Sequence, residues 1–161
     1  MRFLLTNTAQ QCKNVSYCPV PDAERKEYIM ATFSSLEEAQ EYFKGDLFAY
    51  GNGMHLDELT AEGCVCSMDI TDGHRNANGG VMGGAIFTLG DLAFAVAVNN
   101  VHRPTVAMNV SISYLSAPRG SRLIAASRCI KDGRTSCVYQ VSITDELGTD
   151  VALFTGTGFK L

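Results

Sequence analysis

The segment from Asn76 to Val98, NANGGVMGGAIFTLGDLAFAVAV, constrains this chain most tightly. Glycines crowd its front, a long apolar run follows, and one carboxylate, Asp91, stands within that run. The run is predicted to be a helix from about Gly83 to Asn99. A helix that is apolar on every side must be buried on every side. A single sheet covers only part of it unless the sheet curls around, so the pattern calls for a curled antiparallel sheet with a second subunit covering the remainder.

The flanking sequence supplies such a sheet. Ser35 with Glu38 makes a capping-box pattern, and Leu36, Ala39, Tyr42 and Phe43 recur at helical spacing. Gly45 and Asp46 break that helix, Asp46 offers a cap for a second short turn through Tyr50, and Gly51-Asn52-Gly53 ends it. Cys64–Thr71 reads as a strand, and residues 72–80, DGHRNANGG, as a loop rich in turn formers. After the apolar helix, Thr105–Leu115 alternates strictly, with Val106, Met108, Val110, Ile112 and Tyr114 on one face. That predicts a half-buried antiparallel strand. Three more strands are expected at roughly 121–131, 134–144 and 149–160, joined by turns at Lys131-Asp132-Gly133-Arg134 and Asp145-Glu146-Leu147-Gly148. The fold class is therefore α+β, with about five strands around one helix in residues 34–161. Residues 1–33 read as an N-terminal extension with no assigned role.

Bulk properties narrow the function. With 161 residues, 46% hydrophobic and 19% charged, the chain has the composition of one globular domain. A net charge of -4 argues against nucleic acid as a partner, because duplex binding relies on a basic face. The N-terminus MRFLLTNTAQQ carries too short an apolar run for a secretory signal, and Asp91 interrupts the longest apolar stretch, so neither export nor membrane insertion is expected and the location reads as cytoplasmic. The six cysteines contain no CxxC and read as reduced, mostly buried thiols. Cys64 and Cys66 are assigned to opposite faces of their strand, and no metal site is expected.

An ionised aspartate buried without partners costs several kcal/mol, so such a group is paired, protonated or lines a wet pocket. Helix propensity gives no reason for Asp91 to be there. Gly79, Gly80, Gly83 and Gly84 surround the helix start, where unpaired N–H groups and a partial positive charge meet. Without side chains at Gly83 or Gly84, a substrate carbonyl could approach those amides, as in an oxyanion site. Asp91 lies about 12 Å further along the same helix. One helix cannot easily bring both groups to one carbon, whereas two antiparallel copies across a dimer interface could. Neither a phosphate-binding GxxxxGK[ST] loop, nor a GxGxxG unit, nor a GxSxG elbow is present.

At this point HRNANGGVMGGAIFTLGDLAFAVAVN resembles the signature of PaaI-type (phenylacetate-pathway) acyl-CoA thioesterases of the hotdog fold. NVSISYLSAPRGSRLIA and the hairpin around KDGR are similar in order and spacing, so the resemblance spans about residues 46–160. It implies a sheet wrapped on the long helix, an acyl-CoA substrate, no cofactor, and a homodimer or homotetramer with active sites at the dimer interface. It also implies roles. Gly83 would donate its N–H to the thioester oxygen, Asp91 of the other subunit would act as nucleophile or general base, and Asn76 would orient the thioester or the water.

Two positions depart from the family pattern. Met82 stands where His is common and Ala107 where Ser or Thr is common, so two polar helpers are missing. A weakly catalytic or non-catalytic acyl-CoA-binding protein is the alternative expectation. Met82 and Gly84 are candidates for lining the acyl site, and Arg119 and Arg134 for meeting coenzyme A phosphates, alongside Arg122 and Lys131. His74, in a polar loop, is expected to be structural or solvent-facing. Aryl and medium-chain acyl groups both fit.

Overall fold

A computed structural model describes residues 31–161. Residues 1–30, with Cys12 and Cys18, lie outside the described residues. Two short helices, α1 (Leu36–Phe43) and α2 (Leu47–Gly51), precede strands β1 (Met54–Leu59) and β2 (Cys64–Asp69). The long helix α3 (Gly83–Val101) follows, then β3 (Thr105–Tyr114), β4 (Arg122–Asp132), β5 (Ser136–Asp145) and β6 (Asp150–Lys160). All six strands form one sheet in the order β1-β2-β4-β5-β6-β3, antiparallel throughout. This is the curved antiparallel sheet on a central helix that the pattern demanded, a hotdog architecture.

The five-strand expectation is corrected to six. β1 was missed because its run, MHLDEL, is short and acidic. Only Met54 and Leu56 point inward, and the register shifts between Leu56 and Glu58. The placement of Cys64 and Cys66 on opposite faces is also overturned: both are buried. Side chains alternate with a period of two, so residues two apart share a face. The α1 cap forms by half. Ser35 Oγ accepts the Glu38 N–H at 3.2 Å, whereas the Glu38 carboxylate accepts from Ser34 rather than from Ser35. Asp46 is the N-cap residue of α2 but makes no capping bond.

The helix α3 seats on the sheet because glycines admit it. A Cβ on Gly90 would stand 3.1 Å from both Ile143 and Phe154, and one on Gly156 would stand 2.6 Å from the Phe94 ring. Leu89, Ala93, Phe94, Val96 and Val98 are buried there. By length and composition α3 could cross a membrane, but 61% of its apolar window is buried inside the protein, as befits a core helix. Its burial is not complete, however. Gly84 is exposed, and Thr88, Asp91 and Ala95 are only partly covered. Their spacing places them on one helical face. The open stripe is where the charge sits.

Asn99 fixes the exit of α3. Its amide donates to Ala95 O at 2.9 Å and Thr105 O at 3.1 Å, and its oxygen accepts the Thr105 N–H at 3.0 Å. The chain thereby reverses into β3, which forms an edge of the sheet. Contrary to the half-buried expectation, β3 is largely exposed, with Met108 at 61% and Tyr114 at 53%.

Candidate active site

The start of α3 is held from three sides. His74 Nδ1 accepts the Thr71 N–H at 3.0 Å, which leaves the proton on Nε2 to donate to Asn52 O at 2.9 Å. That buried ring ties the turn Asp72–His74 to the end of α2. His74 O in turn accepts the Met82 N–H at 2.8 Å, immediately before the helix. The structural reading of His74 therefore stands, and the residue is buried rather than solvent-facing.

Between these points residues 75–81 form a small closed turn. Asn76 Oδ1 accepts from Asn78 N at 2.9 Å and Gly80 N at 3.2 Å, and Gly79 has a φ of +80° that favours glycine. The Asn76 carbonyl is thus engaged in shaping its own loop. The side-chain amide Nδ2 has no acceptor among the described residues.

At the helix start proper, Met82 O accepts from Ala85 N at 3.0 Å and Ile86 N at 3.3 Å. The Gly83 and Gly84 N–H groups have no acceptor among the described residues. These are the orphan donors of a helix N-terminus, in the region of positive potential. Tyr114 packs beside Gly83. Its hydroxyl donates to Gly83 O at 2.9 Å, and a Cβ on Gly83 would stand 3.1 Å from the Tyr114 ring and oxygen. Met82 lies over Gly84, 3.4 Å from where a side chain would begin, and is itself 55% exposed.

Asp91 sits two turns further along the open stripe. Burial raises its pKa first, and repulsion from the nearby Asp46 carboxylate raises it further. Burial also raises Asp46. The structure adds Tyr114 and Asp46 to the sequence-based candidates. Tyr114 was visible only as the last alternating residue of a strand, and Asp46 only as a cap. Neither signal marked a site.

Among the basic candidates, Arg119 and Arg134 separate. Arg119 precedes β4 at the end of the sheet where α3 starts, because Ile70 N donates to Ser121 O and Leu115 N to Val151 O there. Arg134 follows the far end of β4, about 33 Å away at the strand rise of 3.3 Å per residue. Among the described residues no His, Cys, Asp and Glu group could hold a metal ion. A groove of about 220 Å³ beside Glu58, Gly63, Cys64 and Ser127 lies at the opposite end of β2 and shares no residue with this site.

The arrangement can polarise a carbonyl oxygen at the Gly83 and Gly84 amides and supply a carboxylate base from Asp91. Comparison with known proteins agrees with that chemistry. Residues 78–152 match the family model of the thioesterase superfamily. The chain is 27% identical over 126 residues to the acyl-coenzyme A thioesterase PaaI of Escherichia coli, covering 78% of this chain and 90% of that protein. A mutant structure of the phenylacetic acid degradation protein PaaI from Thermus thermophilus is 30% identical with a TM-score of 0.67, over 71% of this chain and 98% of that one. A hypothetical thioesterase protein from Streptococcus pneumoniae, solved with coenzyme A, is 28% identical with a TM-score of 0.67, over 73% and 94%. Fold, helix-start geometry and likeness coincide: this chain belongs to the thioesterase superfamily, as a thioester hydrolase of hotdog fold.

Proposed function

We propose that the chain hydrolyses an aryl- or medium-chain acyl-CoA to the free acid and coenzyme A, at sites shared between two copies. One observation carries this reading: free Gly83 and Gly84 amides and a partly buried Asp91 lie along one open face of α3. They are about 12 Å apart on one helix, too far for a single carbon. Two helices packed antiparallel, stripe to stripe, bring the amides of one copy to the carboxylate of the other. The apolar exposure of Met82, Met108, Tyr114 and Leu115 supports a covering copy at this end and along β3.

In such a site the Gly83 N–H stabilises the oxyanion that forms as the thioester carbonyl is attacked. Asp91 of the second copy either attacks directly or takes a proton from the attacking water. The tetrahedral intermediate then collapses, the C–S bond breaks, and the thiolate leaves to be protonated. Water attack gives the free acid at once, whereas direct attack leaves an acyl-aspartyl anhydride that a water molecule hydrolyses to the free acid and the Asp91 carboxylate. Asn76 Nδ2 helps hold the thioester or the water, and Met82 and Gly84 border the acyl group. We place the enzyme in the cytoplasm as a homodimer or homotetramer. The free thiols Cys64, Cys66 and Cys137 suit a reducing compartment.

A second reading keeps the ligand but not the turnover: an acyl-CoA-binding protein. Met82 and Ala107 favour it, since both lack a polar group where relatives of this kind commonly have one. Thiol release from a panel of aryl and aliphatic acyl-CoAs, by wild type and Asp91→Asn, decides. Turnover lost in the variant supports hydrolysis. Tight binding without turnover in wild type favours the binder.

A further inference from the structure

The turn between β5 and β6 carries two adjacent carboxylates, and both bond the backbone of the loop that bears Arg119. Asp145 is only 2% exposed. Its Oδ2 accepts the Arg119 N–H at 2.7 Å and the Gly120 N–H at 3.0 Å, while Oδ1 accepts Leu147 N at 3.1 Å and Thr149 N at 2.8 Å. Glu146 continues the series. Its Oε1 accepts the Ser121 N–H at 2.6 Å and the Ser121 hydroxyl at 2.9 Å, and Oε2 accepts the Arg122 N–H at 2.9 Å. The amides of residues 119 to 122 therefore all end on two neighbouring side chains.

Gly120 is part of the device. A Cβ there would stand 2.1 Å from Glu146 Oε2, so glycine alone lets that carboxylate lie against the chain. Charge keeps the clamp shut at neutral pH. The Ser121 and Arg122 amides hold Glu146 down to about 2. For Asp145 burial opposes ionisation, but the Thr149, Arg119 and Gly120 amides outweigh it and hold the carboxyl well below its usual range.

The Arg119 side chain leaves this fixed backbone with its Nε already committed, donating to Thr149 Oγ1 at 3.0 Å. No carboxylate among the described residues pairs with its guanidinium. The terminal nitrogens are thus presented outward on a preorganised stem. Tyr114, whose hydroxyl rests on Gly83, precedes Arg119 by at most about 17 Å of extended chain. That upper limit keeps Arg119 within reach of the pantetheine arm of a coenzyme A thioester seated at Gly83. Resting on the thioesterase reading above, we infer that the Asp145–Glu146 clamp positions Arg119 as the anchor for the phosphates of the coenzyme A nucleotide. A guanidinium fork matches phosphate oxygens, and fixing it beforehand reduces the ordering cost of binding. Asp145, Glu146 and Gly120 are positioning residues; Arg119 makes the contact. Arg134, at the far end of β4, takes no part in this anchor within the same protomer.

The test compares an acyl-CoA with the matching acyl-pantetheine, which keeps the thioester and the arm but lacks the phosphorylated nucleotide. Calorimetry repeats the comparison with coenzyme A and pantetheine. Arg119→Ala is expected to raise KM for the CoA ester about tenfold relative to KM for the pantetheine ester. Glu146→Gln and Gly120→Ala are expected to raise that ratio about threefold or more, and to add nothing further in the Arg119→Ala background. Equal ratios in wild type and Arg119→Ala overturn the anchor. Clamp variants that shift both esters alike, or act undiminished without Arg119, overturn the positioning role. If neither ester is hydrolysed, the hydrolytic reading fails by itself. A binding preference for coenzyme A over pantetheine, abolished by Arg119→Ala and Gly120→Ala, then still upholds the anchor. Absence of that preference in wild type overturns it.

Discussion

At the scale of single residues, Asp91 couples function to stability with opposite signs. Burial raises its pKa, so the folded chain holds this proton more tightly than the unfolded chain. Its contribution to stability is therefore fully present below the ordinary aspartate value and is lost as pH rises through the folded pKa. Asp91→Asn removes that loss. Thermal melts should show a higher midpoint than wild type at neutral pH, with the gap closing below the ordinary aspartate value of 3.8. The same substitution should cut turnover by about a hundredfold to ten-thousandfold, the worth of a general base. In wild type the acid limb of kcat/KM should lie above the usual aspartate range, because only the ionised group can act as base. A midpoint that falls at neutral pH would mean that Asp91 has a stabilising partner. Gly83 tests the other half of the site. A methyl there meets Tyr114 at 3.1 Å, so Gly83→Ala should lower kcat strongly, whereas Tyr114→Phe loses one exposed hydrogen bond worth about 1 kcal/mol. The charge and the glycines were legible in the sequence because each breaks the local pattern. Tyr114 and Asp46 were not, because a strand-ending tyrosine and a helix-capping aspartate fit their local patterns perfectly well.

At the scale of elements, two short connections do as much as the long helix. The buried His74 ring joins the Thr71 amide to the Asn52 carbonyl, and its own carbonyl holds Met82. His74→Ala leaves two backbone groups unpaired and should cost about 1–3 kcal/mol in denaturant unfolding. Its kcat should fall as well, since the first turn of α3 loses its anchor. A variant with wild-type stability would show that water replaces the ring without loss. The β5–β6 turn makes a prediction of the other sign. Backbone bonds lower Glu146 to about 2 from an ordinary 4.5, so its stabilisation is present above that ordinary value and is lost as pH falls through about 2. Glu146→Gln should therefore flatten the acid side of the stability profile, measured by melts across that interval. Strand and helix periods were readable, and most element bounds fell within a few residues. β1 was not, since six residues with two inward side chains give almost no period to detect.

At the scale of the whole molecule, the exposed edge of β3 and the open stripe of α3 ask for a second copy. Light scattering should give a mass of two or four chains, and Met108→Asp, at a residue 61% exposed in the single chain, should shift it toward the monomer with loss of turnover. A monomeric wild type that is fully active would sink the shared site. The sequence by itself determined the central helix, the β4–β5 and β5–β6 hairpins, the charge set in the helix and the amide-rich helix start, since each is a matter of period, turn residues, glycine placement or an anomalous residue. That β3 pairs with β6, and not with β4 that follows it, it did not determine. Only the tertiary structure decided that one stripe of the helix stays open, that Cys64 and Cys66 share a face, that Arg119 and Arg134 stand at opposite ends of a strand, and that Asp145 and Glu146 fasten one loop to another. Those facts depend on which distant segments meet. Hydrophobic period is a local property, whereas a bond across 25 residues leaves no trace in the residues between.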